Sequence, residues 1–146
     1  MSGFVLDVSV TMAWCFEDEA TPETWAILDR LQDEGAVVPV LWSLGVANVL
    51  LLAERRKRTT AAQSTAFIEQ LLRLPIRMEE RTAQRALREV CALGRCAALT
   101  AYDASYLDLA IHSNLPLATT DRALAAAART AGVAVLPAVA RDRGGT

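Results

Sequence analysis

Two hydrophobic rhythms alternate along this chain. Short continuous apolar runs, Phe4-Val-Leu6, Ala36-Val-Val-Pro-Val40, Pro75-Ile-Arg-Met78, Leu115-Pro-Leu-Ala-Thr119 and Val133-Ala-Val-Leu136, read as buried strands. The segments between them carry apolar residues at helical spacing. Val8 to Phe16 reads as a short helix or turn. A helix from about Thr21, with Pro22 at its first position, buries Trp25, Leu28 and Leu31 and stops at Gly35. Trp42 to Arg58 is a long helix with a stripe at Val46, Val49, Leu50 and Ala53, and Thr60 to Arg73 a second. Glu79 to Leu93 is amphipathic and ends at Gly94, Leu99 to Ile111 follows, and Ala123 to Thr130 closes at Gly132. Continuous apolar strands alternating with helices predict a parallel sheet covered on both faces, a three-layer α/β/α sandwich of about five strands.

That pattern gives three acids a common address. Asp7 follows the first strand and Asp121 follows the fourth, while Asp103 lies on the first turn of the helix that leads into the fourth. A helix feeding a parallel strand runs antiparallel to it, so its start and the strand's end share one edge. In open parallel sheets, ligands sit beyond the carboxyl ends of the strands. Asp7, Asp103 and Asp121 are therefore expected together there. Asp7 or Asp121 taken singly could equally cap the helix that follows it. Taken jointly with Asp103, they read as a metal site, because crowded carboxylates repel unless a cation neutralises them. Oxygen ligands without His or Cys favour Mg²⁺ or Mn²⁺ over zinc, and such an ion can position water against a phosphodiester.

Composition sets limits on this reading. At 146 residues and 53% hydrophobic content the chain is one domain, residues 1–140, with 141–146 expected as a flexible tail. A formal charge of -2 gives no bulk attraction for nucleic acid, so a phosphate ligand needs a local site or a metal. The first residues do not resemble a signal peptide and no apolar run is long enough to span a membrane, which predicts a cytoplasmic protein with no membrane partner. Cys15, Cys91 and Cys96 lack CxxC spacing and read as small buried side chains in a reducing compartment. His112, the only histidine, excludes a two-histidine mechanism. Asp108 reads as a solvated surface acid, and Glu17 to Glu19 as a solvated turn. The basic run Arg55-Arg-Lys-Arg58 suits either an RNA or acidic partner or a helix end complementing the dipole. Trp14, Trp25 and Trp42 read as core or interface. A dinucleotide-binding fingerprint is missing after the first strand. A phosphorylation-switch receiver would need an acid ending the third strand and a lysine near the last.

Four motifs in order, Val5-Leu-Asp-Val-Ser-Val-Thr-Met-Ala-Trp14, Val38-Pro-Val-Leu-Trp-Ser-Leu-Gly-Val-Ala-Asn48, Leu99-Thr-Ala-Tyr-Asp-Ala-Ser-Tyr-Leu107 and Leu117-Ala-Thr-Thr-Asp-Arg-Ala-Leu124, resemble those of PIN-domain ribonucleases, most closely the VapC-type toxins of bacterial toxin-antitoxin pairs. The resemblance implies a Mg²⁺- or Mn²⁺-dependent endoribonuclease that cleaves RNA, is a homodimer, and is silenced by a cognate antitoxin protein. It implies that Asp7, Asp103 and Asp121 hold the metal, with Ser9, Asn48 and Thr119 in support. One position departs from the pattern. Gly45 stands where the family has a glutamate, and glycine inside a helix costs about 1 kcal/mol relative to alanine. Loss of the acid and a close-packing role are the two explanations. With them stands the alternative to an active enzyme, a catalytically impaired PIN-fold protein that dimerises and binds antitoxin.

Overall fold

The computed structural model describes residues 3–81 and 83–138. The expected tail, 141–146, lies outside the described residues. Strand β1 (Phe4–Leu6) is completely buried and pairs in parallel with β2 (Ala36–Pro39) on one side and β4 (Leu117–Ala118) on the other. With β3 (Ile76–Glu79) beyond β2 and β5 (Val135–Leu136) beyond β4, the order is β3-β2-β1-β4-β5, all parallel. This is the expected five-stranded α/β fold. Phe4, Val5 and Leu6, without a polar position among them, can occupy only the centre of a sheet covered on both faces.

The helices follow their sequence signals closely where the signals are chemical. Helix α1 spans Val8–Ala13, and α2 spans Pro22–Glu34. Thr21 and Thr24 form a capping box ahead of Pro22, and Gly35 at φ +78° turns the chain into β2. Helix α3 is Leu41–Arg55, and α4, Ala61–Leu72, opens on a second capping box from Thr60 and Gln63. Helix α7 (Ala101–Ser113) starts at Thr100, whose hydroxyl accepts the Asp103 amide, and ends at Asn114 in the left-handed conformation. It packs across β1, β2 and β4. Helix α8 is Arg122–Thr130.

The region between β3 and α7 departs from expectation. Glu79 belongs to β3, and the helix runs later: α5 (Ala83–Arg85), a π-helical turn (Ala86–Val90) and α6 (Cys91–Ala97). Gly94 does not end it, and Ala98 at φ 56° does. A Cβ on Gly94 would stand 3.1 Å from the Leu99 carbonyl oxygen, so glycine there lets the departing chain fold back closely on the helix. Asp108 is buried rather than solvated, because Arg81 reaches it from the start of this region and Arg85 lies 3.8 Å away. Cys91 and Cys96 are exposed, against expectation, on a short helix in which neither they nor any other residue is buried. Trp25 points outward, and Thr24, Ile27 and Leu31 form the buried stripe of α2. Trp42 is buried, and its indole N–H donates to the Thr11 hydroxyl at 3.1 Å.

Candidate functional site

The register of β1 against β4 builds the site. Leu6 stands opposite Ala118, so the next residue of each strand emerges at the same edge, and the Asp7 amide donates to the Ala118 carbonyl at 3.0 Å. Asp7 and Thr119, distant in sequence, are thereby side by side. The Thr119 hydroxyl donates to Asp7 Oδ2 at 2.8 Å and the Ser9 hydroxyl to the same oxygen at 2.7 Å. The two hydroxyls are 3.2 Å apart. Thr119 Oγ1 also accepts the Asp121 amide, and Ser9 Oγ accepts the Thr120 amide, both at 3.0 Å. The loop after β4 is thus fastened to the start of α1 through two hydroxyls and one carboxylate.

The three acids differ in what holds them. Asp7 occupies the N-cap position of α1 without a side-chain cap bond, so the helix does not account for it. Asp121 does cap: its Oδ1 accepts the Leu124 amide at 2.9 Å and starts α8. Asp103, partly exposed, is fixed at the first turn of α7 by the Thr100 cap.

Their charges act on one another. Burial pushes the Asp7 carboxyl above its ordinary range, opposed by the Ser9 and Thr119 hydroxyls and the Val8 amide, and the Asp121 charge pushes it further. Asp103 is raised by burial first, then by Asp121 and Asp7, against the Thr100 bond. Tyr106, one turn beyond Asp103 on α7, is raised by burial and by the Asp7 and Asp103 charges. Its hydroxyl is buried with no hydrogen-bond partner from the protein. Among the described residues no three acids close around a single point in the conformation seen. Asp7 and Asp103 share this edge with Asp121, whose charge acts on both.

The donor set nevertheless fits a divalent cation. It is made only of oxygens, two of its carboxyls are held above their ordinary range by burial and mutual repulsion, and a buried hydroxyl lies beside them without a partner. Asp7, Asp103 and Asp121 are the residues that could hold such an ion, with Ser9 and Thr119 orienting Asp7. Asn48 is exposed, one turn past Gly45 on α3, and among the described residues no hydrogen bond joins it to the acids. Tyr106 has no motif signal of its own beyond sharing the face of α7 with Asp103.

Gly45 faces α1. A Cβ at this position would lie 2.9 Å from Val8 Cγ2, closer than side chains approach without something shifting. Val8 is β-branched and stiff in a helix, so the close-packing explanation of Gly45 has a specific neighbour behind it. The acidic turn after α1 is not simply solvated: Arg58 bridges Asp18 at 2.9 Å and Glu19 at 3.6 Å, and its guanidinium lies 4.1 Å from the centre of the Phe16 ring. One member of the basic run is therefore engaged within the chain.

A family model described as PIN domain matches residues 4–130. No curated protein matches the sequence significantly. Among solved structures, the crystal structure of PAE2754 from Pyrobaculum aerophilum superposes with a TM-score of 0.70 at 24% sequence identity, covering 92% of this chain and 89% of that one. At that identity the likeness speaks for the fold alone. No helix among the described residues is long and apolar enough to cross a membrane.

Proposed function

Because the chain belongs to the PIN domain family, whose members are generally metal-dependent nucleases, we propose that it is a Mg²⁺- or Mn²⁺-dependent endoribonuclease of the toxin class, held in check by a cognate antitoxin protein and acting as a homodimer in the cytoplasm. The observation that carries this reading is the Asp7 carboxylate, buried at the start of α1 without a side-chain capping bond and held by two hydroxyls far apart in the sequence. Burying a carboxylate is costly unless something uses its charge. When bound, a divalent ion here would activate water and offset charge on the phosphodiester.

The chain's own residues supply the positioning. Ser9 and Thr119 fix the rotamer of Asp7, leaving its charge directed to the site. Asp121 is locked by the α8 amide it caps and by its own amide's bond to Thr119. Asp103 rides on a capped helix terminus, whose orientation is set by the buried Tyr106, Leu107 and Ala110 one and two turns on. The Tyr106 hydroxyl is buried without a protein partner where the charges of Asp7 and Asp103 reach it.

A second reading draws on Gly45. Where the family pattern has a glutamate, this chain packs α3 against Val8, which supports a PIN-fold protein of reduced activity that dimerises and binds antitoxin. One experiment separates the two: metal-dependent cleavage of RNA by the wild type beside a Gly45→Glu, Val8→Ala variant, in which the smaller residue at 8 makes room for the new side chain. An active enzyme cleaves as the wild type and loses cleavage on Asp7→Asn. An impaired one cleaves only as the double variant. Absence of metal-dependent cleavage from both forms contradicts the nuclease reading.

A further inference from the structure

The end of the sheet farthest from β5 is open. β3 is its terminal strand, and no described strand lies on its outer side. In its parallel register with β2, where the Ala36 amide bonds to Pro75 and Val37 stands opposite Arg77, the backbone groups of Arg77 and Glu79 turn inward to β2. Those of Met78 turn outward. The Ile76 amide is taken by Leu74 at 2.8 Å, which leaves its carbonyl and the Glu80 amide facing the same way as Met78. Arg77 and Met78 are exposed, Met78 to 54%.

From this edge we infer that β3 pairs antiparallel with β3 of a second copy of the chain, about a two-fold axis at Met78, joining two sheets into one. The inference rests on the homodimer reading above and adds where the two copies meet. Three observations on the strand agree with that occupant. Met78, with both backbone groups outward, can exchange both hydrogen bonds with its own counterpart, and the Glu80 amide then reaches the Ile76 carbonyl of the second copy. The same register sets Arg77 directly opposite Glu79, twice over, so the strand is complementary in charge to itself and to no uniformly charged partner. On the other face, Met78 and Ile76 line an apolar cavity of about 330 Å³ with Trp42, Leu71 and Leu72, and the 74% exposed Leu72 extends that surface outward. A lone strand edge beside exposed apolar side chains is a liability that pairing removes.

The test is sedimentation or light scattering of the full chain at micromolar concentration, repeated with charge exchanges on β3. The wild type is expected as a dimer. Arg77→Glu alone sets like charges opposite each other, as does Glu79→Arg alone, and each is expected to weaken dimerisation by about tenfold or more, given two cross-strand pairs reversed in sign. The Arg77→Glu, Glu79→Arg double variant restores dimerisation, and an equimolar mixture of the two single variants forms the heterodimer. Met78→Pro, which removes an amide that β2 does not use, leaves the monomer folded by circular dichroism and prevents association. A monomeric wild type overturns both this placement and the dimer. A dimer indifferent to the exchanges and to Met78→Pro overturns the placement alone, and neither result bears on whether the acids hold a metal.

Discussion

Two regions of one sheet handle their exposed groups in opposite ways. At the carboxyl ends of β1 and β4, polar groups are drawn inward: Asp7 and Thr119 are buried, and the Ser9 and Thr119 hydroxyls each bind the Asp7 carboxylate and a backbone amide. At β3 and the neighbouring α3 and α4, apolar groups are left outward: Leu44, Leu72 and Met78 are all more than half exposed. The first arrangement opposes the ordinary cost of burying charge, and the second the ordinary gain from hiding apolar surface. On the proposed function, chemistry on a bound ion would account for the first, and on the proposed pairing, contact with a second copy of the chain would account for the second.

The largest expected break in this contrast comes from the acid. In the Gly45→Glu, Val8→Ala background, Asp7→Asn should reduce metal-dependent RNA cleavage by on the order of a thousandfold or more while leaving the circular dichroism spectrum unchanged, since several kcal/mol of transition-state stabilisation go with the ion. Retained cleavage would remove Asp7 from the mechanism. Next in size is Thr119→Val, which deletes the donor to Asp7 and the acceptor for the Asp121 amide. Asp7 keeps its Ser9 donor, but the loss of one of its two donors and of the acceptor for the Asp121 amide should lower the unfolding free energy by about 1 kcal/mol in urea titrations. An unchanged midpoint would mean that the hydroxyl network is incidental.

A smaller effect concerns charge. Because Asp7 and Asp103 are raised in the folded state, the folded chain holds their protons more tightly than the unfolded chain does. The resulting cost is absent below the ordinary carboxylate range, grows as pH rises through the interval up to the raised values, and is fully present above it. Metal-free Asp103→Asn should therefore melt higher than the wild type at neutral pH, with the advantage shrinking towards pH 4. A constant difference across that range would contradict the repulsion. The smallest effect is expected on the other region: Leu72→Ser should change monomer stability by no more than about 0.5 kcal/mol, since its side chain already stands in water. A large loss would show that α4 depends on it for folding.

What could be read in the sequence divides along physical lines. The strands β1 and β2 were legible because unbroken apolar runs have few other places to go, and α2 and α4 because Thr-rich caps and Pro22 announce their starts. The edge shared by Asp7, Asp103 and Asp121 followed from the antiparallel run of α7 into β4. The region from Glu79 to Ala98 was misread, since Gly94 looks like a stop and serves instead as a close-approach position beneath Leu99. Asp108 looked like a surface acid because its partner Arg81 is a whole helix away in sequence, and no local pattern links them. The packing of Gly45 against Val8 was equally hidden, being a contact between two helices on either side of β2. Tyr106 escaped notice because its apolar ring fits a core stripe and its hydroxyl matters only once Asp7 is seen beside it.

The central claim is that Asp7, Asp103 and Asp121 form one cation site, and it can be tested without relying on turnover. Electron paramagnetic resonance of free Mn²⁺, titrated into the purified wild type and into Asp7→Asn, reads binding directly. Saturable binding by the wild type, displaced by Mg²⁺ and lost or weakened at least about tenfold in Asp7→Asn, is the result this account predicts. Wild-type protein that leaves the Mn²⁺ signal unchanged, or a variant that binds equally well, would contradict it.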